Sequence, residues 1–214
     1  MTNFLQSKAK NIMAIIFSGL YSIMIILNSN IKFSYFSNLR YAVNSIVTTL
    51  SILLLPVFVV LLIILNKKPF AFKKWMLPIV FGLMVVKGAV TLYYSVMNTI
   101  TVFDGEIHVT VLSLLIITAL SFVAITVMFV GTLGDFKLVG LFKYAALSQA
   151  VILTAGFVLE FIYVGGFRYF QRLPYEYTGA TIMNLIYSLS QILFYIGLFI
   201  LFPAKKKAKE QITA

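Results

Sequence analysis

The sequence predicts an all-α integral membrane protein, a single bundle of six transmembrane helices with both termini in the cytoplasm. Three observations predict it. Of its 214 residues, 61% are hydrophobic and only 11% charged, against roughly 45–50% apolar and ~25% charged in a soluble domain. The apolar residues come in runs of about 16–25, the length a hydrocarbon core of ~30 Å requires. The basic residues gather on alternate connections, the pattern that orients a chain in a membrane.

The first span is Ile12 to Leu27, after a short polar stretch with Lys8 and Lys10. A basic start before an apolar run also suits a signal peptide. No small-residue cleavage site follows and five more spans do, so an uncleaved helix is expected. The loop NSNIKFSYFSNLR leads to the second span, Tyr41 to Leu65, which contains Pro56. Neighbouring helices can satisfy the carbonyl such a proline frees. NKKPFAFKKW is expected to be a tight basic turn, followed by the third span, Met76 to Asn98. A short loop with Asp104 and Glu106 precedes the fourth span, His108 to Gly131. The connection 132–142 leads to the fifth span, Lys143 to Val164, and GGFRYFQRLPYEYTG to the sixth, Ala180 to Phe202. Pro203 and a lysine-rich tail end the sequence. Little length lies outside the spans, so 1–214 is expected to be one transmembrane domain.

With six spans, twelve basic residues fall on the side of the N-terminus, the NKKPFAFKKW turn, the 132–143 connection and the tail. Four (Lys32, Arg40, Arg168 and Arg172) fall on the other, and Lys87 lies within a span. The excess marks the cytoplasmic side of a plasma (inner) membrane. It also explains the net charge of +11 without nucleic acid, since juxtamembrane lysines meet anionic lipid. The absence of cysteine excludes disulfides, thiolate metal sites and a cysteine nucleophile, and a single histidine excludes a histidine-rich metal site. No P-loop, dinucleotide fingerprint, H-E-x-x-H or G-x-S-x-G occurs. No cofactor is implied.

Lys87 is the conspicuous residue. On insertion scales a lysine near the bilayer centre costs at least ~2.5–3.5 kcal/mol, so it needs a partner, water or a purpose. It stands ~18 Å from the cytoplasmic end of its span at 1.5 Å per residue, near the midplane. Residues spaced by three, four and seven share a helix face. Lys87, Thr91, Tyr94 and Asn98 therefore form one stripe, and Asn184, Ser188, Gln191 and Tyr195 another. Gln149, Gly156 and Glu160 align on the fifth span, Thr110, Ser113 and Ser121 on the fourth. Ser37, Arg40, Asn44, Thr48 and Ser51 align if the second helix begins within its loop. Polar faces avoid lipid and turn to one another. The expected result is a polar cavity in the outer half, floored by Lys87 and Gln191. Lys87 and Glu160 then form an ion pair, or line the cavity without contact, or the lysine snorkels elsewhere. The Ser, Thr, Asn and Gln stripes serve as interhelical glue or as ligand contacts. Tyr163, Tyr169, Tyr175 and Tyr177 suit an interfacial aromatic belt.

The stretch Tyr35-Phe36-Ser37-Asn38-Leu39 resembles the Y-F-T-x-x-S-N segment before the second span of bacterial six-span proteins related to the FAR-17a/AIG1-like group. Ser37 stands at the threonine position, Arg40-Tyr41 replace the later S-N, and His108 opens the fourth span. The resemblance implies an intramembrane lipid-ester hydrolase. Ser37 would be its nucleophile and His108 its base, with Lys87 or Asn44 steadying an oxyanion.

Three functions follow. The first is binding or transport of a small anionic or amphipathic molecule. Lys87, Glu160, Tyr94, Asn98, Asn44, Asn184 and Gln191 would line its site, and Arg168 and Arg172 would gather the ligand from the outer loop. Without a repeat or an ATP-binding motif, such a chain would act as an oligomer or a substrate-binding subunit. The second is the hydrolase. The third is a non-catalytic membrane partner subunit, whose partners beyond lipid are other chains.

Overall fold

The computed structural model describes residues 8–28, 53–54, 56–57, 71–102, 109–133, 139–163 and 175–202. They form five long helices: α1 (Lys8–Asn28), α2 (Ala71–Val102), α3 (Val109–Thr132), α4 (Val139–Tyr163) and α5 (Tyr175–Leu201). Each contains a stretch long and apolar enough to cross a membrane. The described residues include no strand. Four residues of the expected second span (53, 54, 56 and 57) are described, all helical, and the rest of it lies outside the described residues.

Most of each helix surface is apolar, as lipid rather than water requires. Ile16, Ile23 and Ile26 on α1, Val86 and Val90 on α2, and Val151 and Ile162 on α4 are all exposed. In a soluble chain such a surface would be an aggregation hazard. In lipid it is the ordinary exterior, and the helices must hold together by close packing.

Small residues provide that packing. A Cβ on Gly131 of α3 would lie 2.9 Å from the Phe142 nitrogen of α4. At Gly88 of α2 it would lie 3.0 Å from the Phe122 ring of α3, and at Gly197 of α5 3.6 Å from the Ala14 Cα of α1. These contacts also set direction. Gly82 meets Phe129 where Gly88 meets Phe122, so α2 and α3 are antiparallel. Gly131 meets Phe142 and Gly156 meets Ile117, so α3 and α4 are too. Lys143 lies over Phe199, which opposes α4 and α5. Ala14 faces Gly197 while Tyr21 reaches Tyr187, which opposes α1 and α5.

The main contacts among the described helices thus run α2–α3–α4–α5–α1. One end of the bundle gathers the starts of α1, α2 and α4 and the finishes of α3 and α5. It is called the lysine-rich end here, for Lys8, Lys10, Lys73, Lys74 and Lys143.

Helix ends differ from expectation in one informative place. NKKPFAFKKW was expected to be a turn, but Ala71 to Trp75 are already helical. α2 has 32 residues, roughly 48 Å at 1.5 Å per residue, well beyond the hydrocarbon thickness. Hydropathy marks where lipid begins, whereas a helix can continue into the polar interface. Pro78 lies inside α2 and removes the bond to the Lys74 carbonyl, which stands close enough to the lysine-rich end for water or headgroups to satisfy it.

Candidate functional site

The fully buried residues concentrate towards the lysine-rich end. Phe81, Phe142 and Phe202 pack edge to face, with ring centres 5.2 Å and 4.8 Å apart along that series. Tyr21, Phe194 and Tyr195 continue the group, at 5.1 Å and 5.3 Å. Met128, Ala146 and Leu198 complete it. This is an aromatic plug. In α2 to α5 the fully buried residues all fall in the half nearer the lysine-rich end: 80–81, 124–132, 142–150 and 190–201. Among the described residues of their other halves, none is fully buried.

The polar stripes rise from this plug. On one flank of α2, Val80 is 4% exposed. Two turns further, Lys87 is half-buried, and one turn beyond it Thr91 is exposed. Tyr94, the next residue on that flank, is 61% exposed and edge-to-face with Tyr93. On α5, Tyr195 is 1% exposed, Gln191 and Ser188 are half-buried, and Asn184 is exposed. Both stripes share a face with core residues and open progressively away from the plug.

Helix register fixes the heights. Gly88 lies against Phe122, and Ser121 accepts a hydrogen bond of 2.7 Å from Gln149 Nε2. Lys87 is therefore level with Gln149 and with the top of the plug. It is the tenth residue of the apolar stretch Pro78–Met97, so it stands near mid-span. Gly156 lies against Ile117, which puts Glu160 level with Ser113. The positions of Lys87 and Glu160 thus differ in height by about three turns, roughly 16 Å, and their helices are separated by α3. Among the described residues no acidic side chain pairs with Lys87.

Gln149 is the buried polar anchor of the bundle, and its Oε1 has no partner among the described residues. Of the stripe hydroxyls, Ser121 joins two helices through Gln149, while several hydroxyls outside the stripes bond within their own helices. Thr99 donates to the Ser95 carbonyl, Thr118 to Leu114, Thr126 to Phe122, Thr154 to Ala150 and Ser190 to Tyr187, each within its own helix. Back-bonding of this kind satisfies a hydroxyl where water is scarce.

Of the expected site residues, the structure thus shows the side chains of Lys87, Tyr94, Asn184 and Gln191 on core-sharing stripes. Asn98 and Glu160 are placed on α2 and α4 as helix positions. Ser37, Asn44, His108, Arg168 and Arg172 lie outside the described residues. Among the described residues no group of His, Cys, Asp or Glu could hold a metal ion. The plug was missed by sequence reasoning, which placed Tyr195 in a polar stripe. The signal available was the density of aromatics in YSLSQILFYIGLFILF, where Phe194, Tyr195, Phe199 and Phe202 recur at helical spacing.

Comparison with known protein families, characterised proteins and solved structures finds nothing that matches this chain.

Proposed function

We propose that the protein is a six-span plasma (inner) membrane protein with cytoplasmic termini, which binds or transports a small anionic or amphipathic molecule. The ligand enters a crevice from the outer side, and Lys87 is the floor. The observation that carries this reading is the graded opening of the two polar stripes above a closed aromatic plug. A site sealed at the lysine-rich end and open at the other has one entrance.

Lys87 supplies the selectivity. Its ammonium sits at mid-span with no acidic partner among the described residues, and burying a lone ammonium in lipid is costly. An arriving carboxylate or phosphate offsets that cost, and the attraction grows as the surrounding dielectric falls. Tyr94, Asn184 and Gln191 offer polar contacts along the walls, and the helix positions of Asn98 and Glu160 lie higher up.

The sixth span is supported by connectivity. α1 and α2 both start at the lysine-rich end, so the 42 residues between Asn28 and Ala71 begin at the far end and finish at the near one. One crossing by the apolar run 41–65 meets that requirement. The gathering of lysines where α1, α2 and α4 begin supports a cytoplasmic assignment for that end.

Binding of decanoate, a simple anionic amphiphile, tests the reading. Decanoate should raise the melting temperature of the protein in maltoside micelles, and decyltrimethylammonium should not. Lys87→Met should abolish the rise while leaving the unliganded protein folded. An unchanged decanoate response in Lys87→Met would remove Lys87 from the site. A fluorophosphonate label lost in Ser37→Ala would favour the hydrolase instead.

A further inference from the structure

The seam between α3 and α4 holds a polar group that the crevice does not use. Phe142, Gln149 and Gly156 are spaced by seven on α4 and so line one face of it. Phe142 lies against Gly131 and Gly156 against Ile117, which turns that face to α3. Gln149 stands midway between the two contacts and donates from Nε2 to Ser121 at 2.7 Å. Its Oε1 is buried and accepts from no group among the described residues.

An amide oxygen without a donor is costly in an apolar interior, and buried polar groups are paired almost without exception. Turning the amide over does not remove the cost. Oε1 would then face Ser121, and Nε2 would lack an acceptor. Asn11 Oδ1 and Ser18 Oγ are also buried without a partner among the described residues, but each has a simple remedy. Asn11 stands in the first turn of α1, at the lysine-rich end, where water and headgroups are at hand. Ser18 can rotate its hydroxyl to the Ala14 carbonyl of its own helix, as Ser22 does to that of Ser18. Gln149 has no such choice, because its bond to Ser121 commits it across the seam. The side chains beside it are small. Ala145, Ala146 and Ala150 on α4 are buried, as is Ala124, the α3 residue at the height of Gln149. A buried water needs room and at least two polar partners. Alanines take up little space around the amide, and Ser121, having accepted from Gln149, still has its own hydrogen to give.

We propose that an ordered water is bound in this seam. It accepts from the Ser121 hydroxyl and donates to Gln149 Oε1. With the bond from Nε2 to Ser121 this closes a cycle in which every member gives one hydrogen bond and receives one. The cycle joins α3 to α4 at mid-span. It is independent of the crevice and of any ligand there.

Water-edited solid-state NMR of the full chain in lipid bilayers tests this. The side-chain amide of Gln149 is identified by its loss in Gln149→Met, which keeps the unbranched shape without the polar atoms. In the unmodified protein that amide should receive polarisation from water ahead of the backbone amide of Ala146, which is 0% exposed and one turn nearer the lysine-rich end. Transfer no faster than at Ala146 means that Oε1 takes its hydrogen bond from the protein, and the site fails. The Ser121 hydroxyl could relay polarisation without any water in the seam, so Ser121→Ala is the second arm. Early transfer to Gln149 should persist in Ser121→Ala, since Oε1 still holds the water. Its loss there would show that the hydroxyl was the source and would overturn the site.

Discussion

At the scale of single residues, Lys87 and Gln149 show two ways of keeping a polar group inside an apolar bundle. Gln149 is 1% exposed and donates to Ser121 on the neighbouring helix. Interhelical hydrogen bonds in membranes average about 0.6 kcal/mol and reach ~1.7. The double-mutant cycle of Gln149→Ala and Ser121→Ala should give a coupling in that range by reversible unfolding in mixed micelles. A coupling indistinguishable from zero would mean that the bond contributes nothing. Among the described residues Lys87 has no acidic partner, and it sits where burial fades. If Lys87→Met leaves the fold intact, as the decanoate experiment requires, the lysine is retained for something other than stability. These roles were partly legible in the sequence. Spacing by three, four and seven identified the Lys87 and Asn184 stripes because a polar residue on a core-sharing face is costly in lipid. It did not show that several hydroxyls, such as those of Thr118, Thr126 and Thr154, bond within their own helices. A carbonyl four residues back is available to any helical Ser or Thr, so that choice leaves no pattern.

At the scale of elements, the helices are held by glycines that let one backbone approach another. Gly131 is the tightest, with the Phe142 backbone where its Cβ would go. Gly131→Ala forces α3 and α4 apart where Gly131 meets Phe142, and overpacking of this kind costs typically 1–3 kcal/mol. Gly19, on α1, has nothing within 4 Å of its Cβ position. Gly19→Ala should therefore be neutral or slightly stabilising, since alanine favours the helix by about 1 kcal/mol. Thermal unfolding of both variants in the same detergent checks the contrast, and equal effects would contradict it. Helix existence was legible, because twenty apolar residues in lipid have no alternative to a helix. Helix ends were not. The early start of α2 at Ala71 runs through Lys73 and Lys74, charges that mark the limit of the hydrocarbon but not the limit of the helix.

At the scale of the whole molecule, the packing is asymmetric along the membrane normal. Aromatic rings seal the bundle near the lysine-rich end, and the polar stripes above them stay open. Orientation by charge was legible in the sequence as an expectation about sides. The plug was not, because aromatics near a span's end also suit an interfacial belt, and only packing distinguishes the two. The chain contains no cysteine, so single cysteines can report access directly. Cells carrying Lys87→Cys, Thr91→Cys, Asn184→Cys, Val80→Cys or Tyr195→Cys would be treated with a charged, membrane-impermeant thiol reagent from outside. The crevice predicts labelling at 91 and 184, slower labelling at 87, and none at 80 or 195. Labelling of 80 and 195 from outside, or of 87, 91 and 184 only in inverted vesicles, would contradict an outward crevice floored by Lys87.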